Sequence, residues 1–178
     1  MGSIAAPATS RILGIDPGSR ITGWGVVDTR GPAVRYVASG CLRTRGAEMA
    51  ARLREIFIGI SSIVAQYQPA ELAIERVFVH RNADSALKLG QARAAAICAS
   101  FGIELSVHEY AARAVKLAVV GQGGAEKTQV AHMVRALLQI PAPLAADEAD
   151  ALAIALCHAH SRPLGSRLAT AQLRVVRR

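Results

Sequence analysis

Residues 11–28, Arg-Ile-Leu-Gly-Ile-Asp-Pro-Gly-Ser-Arg-Ile-Thr-Gly-Trp-Gly-Val-Val-Asp, decide the fold class. Arg11–Ile15 is a short apolar run that breaks at Asp16-Pro17-Gly18-Ser19. Pro17 fixes φ there and Gly18 permits the bend, so strand gives way to turn. Ile21–Asp28 alternates well enough to be the second strand of a hairpin. Gly31-Pro32 marks another turn. Ala33–Leu42 reads as a third strand with edge character, since Arg35 and Ser39 interrupt it. Three strands joined by short turns make an antiparallel meander.

Beyond the meander the period changes. Met49, Leu53, Ile56, Phe57, Ile60, Ile63, Val64 and Tyr67 recur at helical spacing as far as Pro69. Glu71–Val77 fits a central strand after a crossover helix. Asn82–Phe101 reads as a long Ala-rich helix closed by Gly102, and Ile103–His108 as a fifth strand. Helical patterns resume at Ala111–Val119, Glu126–Leu138 and Asp147–His160, with Pro141 and Pro143 separating the last two. The order βββαβαβ followed by helices predicts an α/β fold, a mixed five-stranded sheet flanked by helices on both faces. There is no internal repeat and no linker. The expected division is an N-terminal extension without order over 1–10, one domain over 11–160, and a basic, disordered or loosely docked tail over 161–178.

The chain has 178 residues, 52% of them apolar and 19% charged, enough for one cored domain. No apolar run reaches the ~20 residues of a membrane helix, and the N-terminus lacks the pattern of a secretion signal. Cys41, Cys98 and Cys157 are far apart with no CxxC pair, which speaks against a zinc knuckle or a disulfide framework. Three reduced, mostly buried thiols in a cytoplasmic protein are expected. The formal charge is +8, which points to an anionic partner, nucleic acid first. Residues 161–178 carry five Arg and no acid, while residues 1–160 hold 16 cations and 13 anions, a net of +3.

Four carboxylates stand where chemistry can gather. Asp16 ends the first strand, Glu75 ends the fourth, and Asp147 and Asp150 open the last helix. Parallel strands bring their carboxyl ends to one sheet edge, where sites form, and residues i and i+3 share a helix face. Clustered anions repel and raise each other's pKa. Divalent Mg²⁺ or Mn²⁺ resolves that repulsion, and two such ions can drive phosphodiester cleavage. Each acid also has a plain local reading: Asp16 as a turn former, Asp147 and Asp150 as helix-capping acids. Glu75, inside an apolar run, needs a partner, and adjacent Arg76 faces the other way. Glu148 reads as a solvated first-turn acid.

Val119–Thr128 is Gly-rich, but Glu126 stands where a Walker loop needs Gly before its Lys, so ATP binding of that type is excluded. Such a loop can still seat a DNA phosphate, with Lys127 nearby. Phe78, in the segment Arg76–Ala83, can stack on an unpaired base or fold into the core. None of the five histidines shows metal-ligand spacing; His80, beside Arg81, fits a phosphate contact. Ala86, Gly90 and Ala94 form a small-residue stripe that permits close approach of another helix, within the chain or in a second subunit.

The stretch from Gly14 to Val27, Ile74-Glu75 with Val77-Phe78, the block Asn82–Arg93 and Asp147 with Asp150–Ala155 together resemble the RuvC family of Holliday-junction resolvases, from about Arg11 to His160. The resemblance implies an RNase H-like (retroviral-integrase) fold and a homodimeric endonuclease that cuts two opposing strands of a four-way junction symmetrically. It implies two Mg²⁺ ions per active site, with Mn²⁺ as a substitute, held by Asp16, Glu75, Asp147 and Asp150. It places Lys116 among the catalytic residues. Arg76, Phe78, His80, Arg81, Asn82, Lys88, Lys116 and Lys127 fall on its DNA-binding surface, and Ala86, Gly90 and Ala94 on a dimer interface. A RuvA–RuvB branch-migration complex is the implied partner, and the bacterial cytoplasm, at the nucleoid, the implied location. An actin-like kinase or chaperone ATPase also opens on Asp-x-Gly-Ser, but this chain is too short for that duplicated architecture. A non-catalytic junction binder would not need the acid set, and a YqgF-type nuclease lacks the Asn82–Arg93 block.

Overall fold

The computed structural model describes residues 9–76 and 83–175, with side chains as far as Arg162. Its strands are β1 (Thr9–Asp16), β2 (Ile21–Arg30), β3 (Ala33–Arg43), β4 (Glu71–Glu75) and β5 (Ser106–Tyr110). Its helices are α1 (Met49–Tyr67), α2 (Ala83–Cys98), α3 (Ala112–Val120), α4 (Lys127–Leu138) and α5 (Ala146–Val175). The five strands form one mixed sheet in the order β3-β2-β1-β4-β5. The meander is antiparallel, and β1–β4 and β4–β5 are parallel.

Period-two alternation divides the core between the two sheet faces. Leu13, Ile15, Val26, Leu72 and Ile74 pack with Ile56, Ile60, Ala92 and Ala96 of α1 and α2. Ile12, Val27 and Ala73 pack with α3, α4 and α5, including Val115, Val134, Leu152 and Leu156. The side that a β1 or β4 residue faces is therefore fixed by its parity, and this places the site. Trp24 packs, as expected, against Tyr67, with ring centroids 5.7 Å apart.

Most elements shift by one or two residues at an end, β1 starting at Thr9 inside the extension expected to lack order; three boundaries differ in ways that matter. β5 is Ser106–Tyr110, not Ile103–His108, because pairing with β4 sets its register, from Glu71↔Ser106 to Glu75↔Tyr110. The apolar residues Ile103 and Leu105 pack ahead of the strand. α2 stops at Cys98, where tight turns from Ser100 to Ile97 and from Phe101 to Cys98 replace helical bonds. α5 continues to Val175 instead of ending near His160, so regular backbone extends into the segment expected to lack it. Ser161 bonds back to the carbonyl of Cys157, and Arg162 pairs with Glu71, which holds the chain in register past that point. The three cysteines are free, but only Cys157 is buried; Cys41 is half-buried and Cys98 exposed, so the thiols are less buried than expected. No helix among the described residues is long and apolar enough to cross a membrane.

Candidate active site

Asp16 has the parity of Ile12 and Gly14, and Glu75 that of Ala73, so both acids face α5 from the ends of neighbouring parallel strands. The first turns of α5 bring Asp147 and Asp150 over that edge. The helix comes this close because the sheet is bare beneath it. A Cβ on Gly14 would sit 2.2 Å from the carbonyl oxygen of Ala151, and one on Gly23 would sit 1.9 Å from that of Asp147. Only glycine admits such backbone-to-backbone contact.

The acids interact. Asp16 and Glu75 lie close enough to shift each other's proton affinity. Burial, then the charges of Glu75 and Asp150, push Asp16 up to about 8 from an ordinary 3.8, against the pull of Lys127. Burial also raises Glu75, as does Asp150, while Asp16, Lys127 and Lys116 favour its ionised form. Lys127 donates to Asp150 Oδ2 at 2.7 Å, and this bond lifts the Lys127 pKa above its usual range. The charge of Asp147 also reaches Lys127. These are carboxylates short of positive charge.

Lys116 of α3 and Lys127 of α4 line one cleft with Glu75 and Asp150, floored by Val115, Val130 and Ile154. Its volume is about 90 Å³, well below the roughly 300 Å³ at which small-molecule pockets begin, so a buried nucleotide does not fit. The Gly-rich loop ends in a capping box: the Glu126 carboxylate accepts from the Gln129 backbone, and the Gln129 side chain accepts from Glu126 N–H at 2.8 Å. The residue that breaks the Walker pattern thus caps α4.

Other expected site residues fall elsewhere. Arg76 pairs with Glu109 at 3.6 Å, and Lys88 with Asp84 at 2.5 Å. Ala86, Gly90 and Ala94 line an open apolar groove on α2 together with Leu87. Phe78, His80, Arg81 and Asn82 lie outside the described residues. Glu148 is not a solvated acid: it accepts from Ser39 at 2.6 Å and from the Ala145 N–H at 3.2 Å, committing it to β3 and its own helix end. Arg93 escaped the sequence reading. Its Nε donates to the Glu75 carbonyl at 3.2 Å, and its Nη2 pairs with Glu109 at 2.5 Å, clamping the strand end that carries the acid. The misplaced β5 boundary had left Glu109 off the sheet, hiding that pair. The histidines also need correction: His108 and His158 do approach an acid, Glu71, although their spacing shows no pattern.

The profile of the family described as "Crossover junction endodeoxyribonuclease RuvC" matches residues 12–158. The chain belongs to the RuvC family. A RuvC of Methylococcus capsulatus is 57% identical over 169 residues, covering 95% of this chain and 99% of that one. A RuvC of Vibrio campbellii is 56% identical, covering 85% and 88%. Thermus thermophilus RuvC, solved in complex with Holliday junction substrate, superposes with a TM-score of 0.81 at 34% identity, over 88% of this chain and 96% of that one. Like those RuvC structures, this one has the RNase H-like fold, and RuvC nucleases are metal-dependent.

Proposed function

We infer that this chain is a crossover junction endodeoxyribonuclease that resolves four-way DNA junctions by two symmetric phosphodiester cuts, in recombination and DNA repair. The observation that carries this reading is the gathering of Asp16, Glu75 and Asp150, with Asp147 beside them, under two lysines at one sheet edge. The raised Asp16 and Glu75 are what a cation site looks like electrostatically: burial and mutual repulsion disfavour the charged forms. All-oxygen donors fit Mg²⁺, with Mn²⁺ as substitute. Asp16, Glu75, Asp147 and Asp150 would hold two such ions, which supply positive charge at the attacking and leaving oxygens of the phosphodiester.

The chain's own residues supply the rest. Lys127, tethered to Asp150, stands where it can turn from that acid to a phosphate oxygen. Lys116 faces the same cleft, and its charge favours ionised Glu75. Arg93 holds the Glu75 backbone, so that the side chain starts from a fixed point. Phe78, Arg76, His80, Arg81, Asn82 and Lys88 complete the DNA surface in this reading, with the phosphate contacts setting register.

A two-fold symmetric junction calls for a two-fold nuclease. The exposed α2 groove, with Leu87 67% exposed and space above Gly90, supports a homodimer built there. Cooperation with a RuvA–RuvB motor and action at the bacterial nucleoid belong to the same proposal and rest on the family resemblance alone. Gly90→Glu should shift the sedimentation coefficient from dimer to monomer; an unchanged dimer moves the interface elsewhere. The function itself is tested on a synthetic four-way junction with nick positions mapped. Paired, symmetry-related nicks in Mg²⁺ and none in EDTA are expected; binding without nicking in either Mg²⁺ or Mn²⁺ overturns the nuclease reading.

A further inference from the structure

Glu71, His108 and His158 meet beside the sheet, with one ligand-type atom from each lying within 4.8 Å of the others. Glu71 and Glu75 open and close the same strand on the same face, about 13 Å apart at ~3.3 Å per residue. We propose that Glu71, His108 and His158 form a second metal site, separate from the four acids, that takes a zinc-class divalent ion.

The donor set selects the ion. Two imidazoles and one carboxylate suit Zn²⁺, Co²⁺ or Ni²⁺, whereas Mg²⁺ prefers oxygen ligands and keeps its waters. A tetrahedral zinc with bonds of about 2.0 Å spaces its ligand atoms about 3.3 Å apart. Glu71 Oε2 and His158 Nε2, now 2.6 Å apart, need to open by less than 1 Å to admit it. A cleft that also includes Ser161 leads in from solvent, leaving a fourth position for water.

The surrounding bonds orient each ligand, as they do at established zinc centres. Ser10 donates to Glu71 Oε1 at 2.6 Å and Arg162 Nη2 to the same oxygen at 2.9 Å, which leaves Oε2 for the ion. His158 Nδ1 lies 2.6 Å from the Tyr110 hydroxyl. A ring ligating through Nε2 carries its proton on Nδ1 and can donate it to that oxygen. Ser106 meets His108 Nε2 at 2.9 Å. The two imidazoles stack with centroids 4.2 Å apart, so the half-buried His108 ring has to turn for both ring planes to meet at one ion. The protonation states also suit a metal: burial, then the charge of His158, lowers His108 and favours its neutral form. Burial opposes ionisation of Glu71, but the bonds from His158 and Ser10 and the charge of Arg162 outweigh it and hold the acid at about 2. Arg162 is the opposing charge: it weakens binding of every dication alike, so the preference for zinc over magnesium rests on the two imidazoles.

The test uses metal-stripped, full-length protein with Mg²⁺ in excess to saturate the acids, titrated with Zn²⁺ by calorimetry and with Co²⁺ by visible absorption. One Zn²⁺ per chain and a tetrahedral Co²⁺ spectrum are expected. Both should persist in Asp150→Asn and weaken by roughly tenfold or more in His108→Gln. Zn²⁺ should also raise the melting temperature of the parent and not of His108→Gln. His108 is only half-buried, so this variant disturbs the fold less than a change at buried His158, and a thermal melt checks it. No Co²⁺ spectrum in the parent, equal Zn²⁺ affinity in His108→Gln, or loss of Zn²⁺ binding in Asp150→Asn overturns the proposal. Because junction cleavage is not read, failure of this site and failure of the nuclease reading remain distinguishable.

Discussion

The two ends of β4 carry the same residue type in opposite circumstances. Glu71, at its start, is surrounded by donors: His158 at 2.6 Å, Ser10 at 2.6 Å and Arg162 at 2.9 Å. Glu75, at its end, is pressed against Asp16 and Asp150, with burial opposing its charge. One strand thus holds a carboxylate that the fold stabilises and another that the fold strains. Stability is spent at the catalytic edge and recovered at the opposite one, a division common where charge must await a ligand.

The sharpest way to break this contrast is to neutralise the strained acid. Glu75→Gln should lower junction cutting in Mg²⁺ by about a thousandfold or more, since several kcal/mol of metal-borne stabilisation is lost, while gel-shift affinity for the junction stays near that of the parent. Full cutting would remove Glu75 from the metal set. Next in size is the satisfied acid. Glu71→Gln should cost about 2 kcal/mol in urea unfolding at pH 7. The sign follows from a folded pKa of about 2 against an ordinary 4.5. Its contribution is complete above about 4.5 and disappears as pH falls towards 2. The variant should therefore be less sensitive than the parent across that window, and an identical acid limb would mean that Glu71 gives no net support.

The smallest effect has the opposite sign. Asp16 is raised to about 8 from 3.8, so its contribution is present below about 4 and is lost as pH rises towards 8. In metal-free protein, Asp16→Asn should remove that decline and leave the variant about 1 kcal/mol more stable than the parent at pH 8, although it cannot cut. A less stable variant at that pH would show that the acids do not strain the fold.

Much of this was legible in the chain. The turn at Asp16-Pro17-Gly18 and the switch from period two to period 3.6 after Ala47 are local signals, and they place both strand-end acids. Asp147 and Asp150 followed from helical spacing. The Glu71 cluster was not legible, because Glu71, His108 and His158 come from three elements whose alignment depends on the β4–β5 register, and sequence spacing carries no record of register. The clamp of Arg93 on Glu75 was hidden for the same reason. Glu148 was read as solvated because its partner, Ser39, is 109 positions away.

At Gly14 and Gly23, α5 meets the sheet with no side-chain layer between them. Elsewhere in a protein a packed layer absorbs small errors, since rotamers adjust and methyl groups shift. Here nothing intervenes, so the reach from Asp147 and Asp150 to Asp16 is governed by bond lengths and peptide planes. The spacing of the acids thus inherits the tolerance of covalent geometry. Drift in the surrounding core can change how firmly the helix is held far more readily than where it rests.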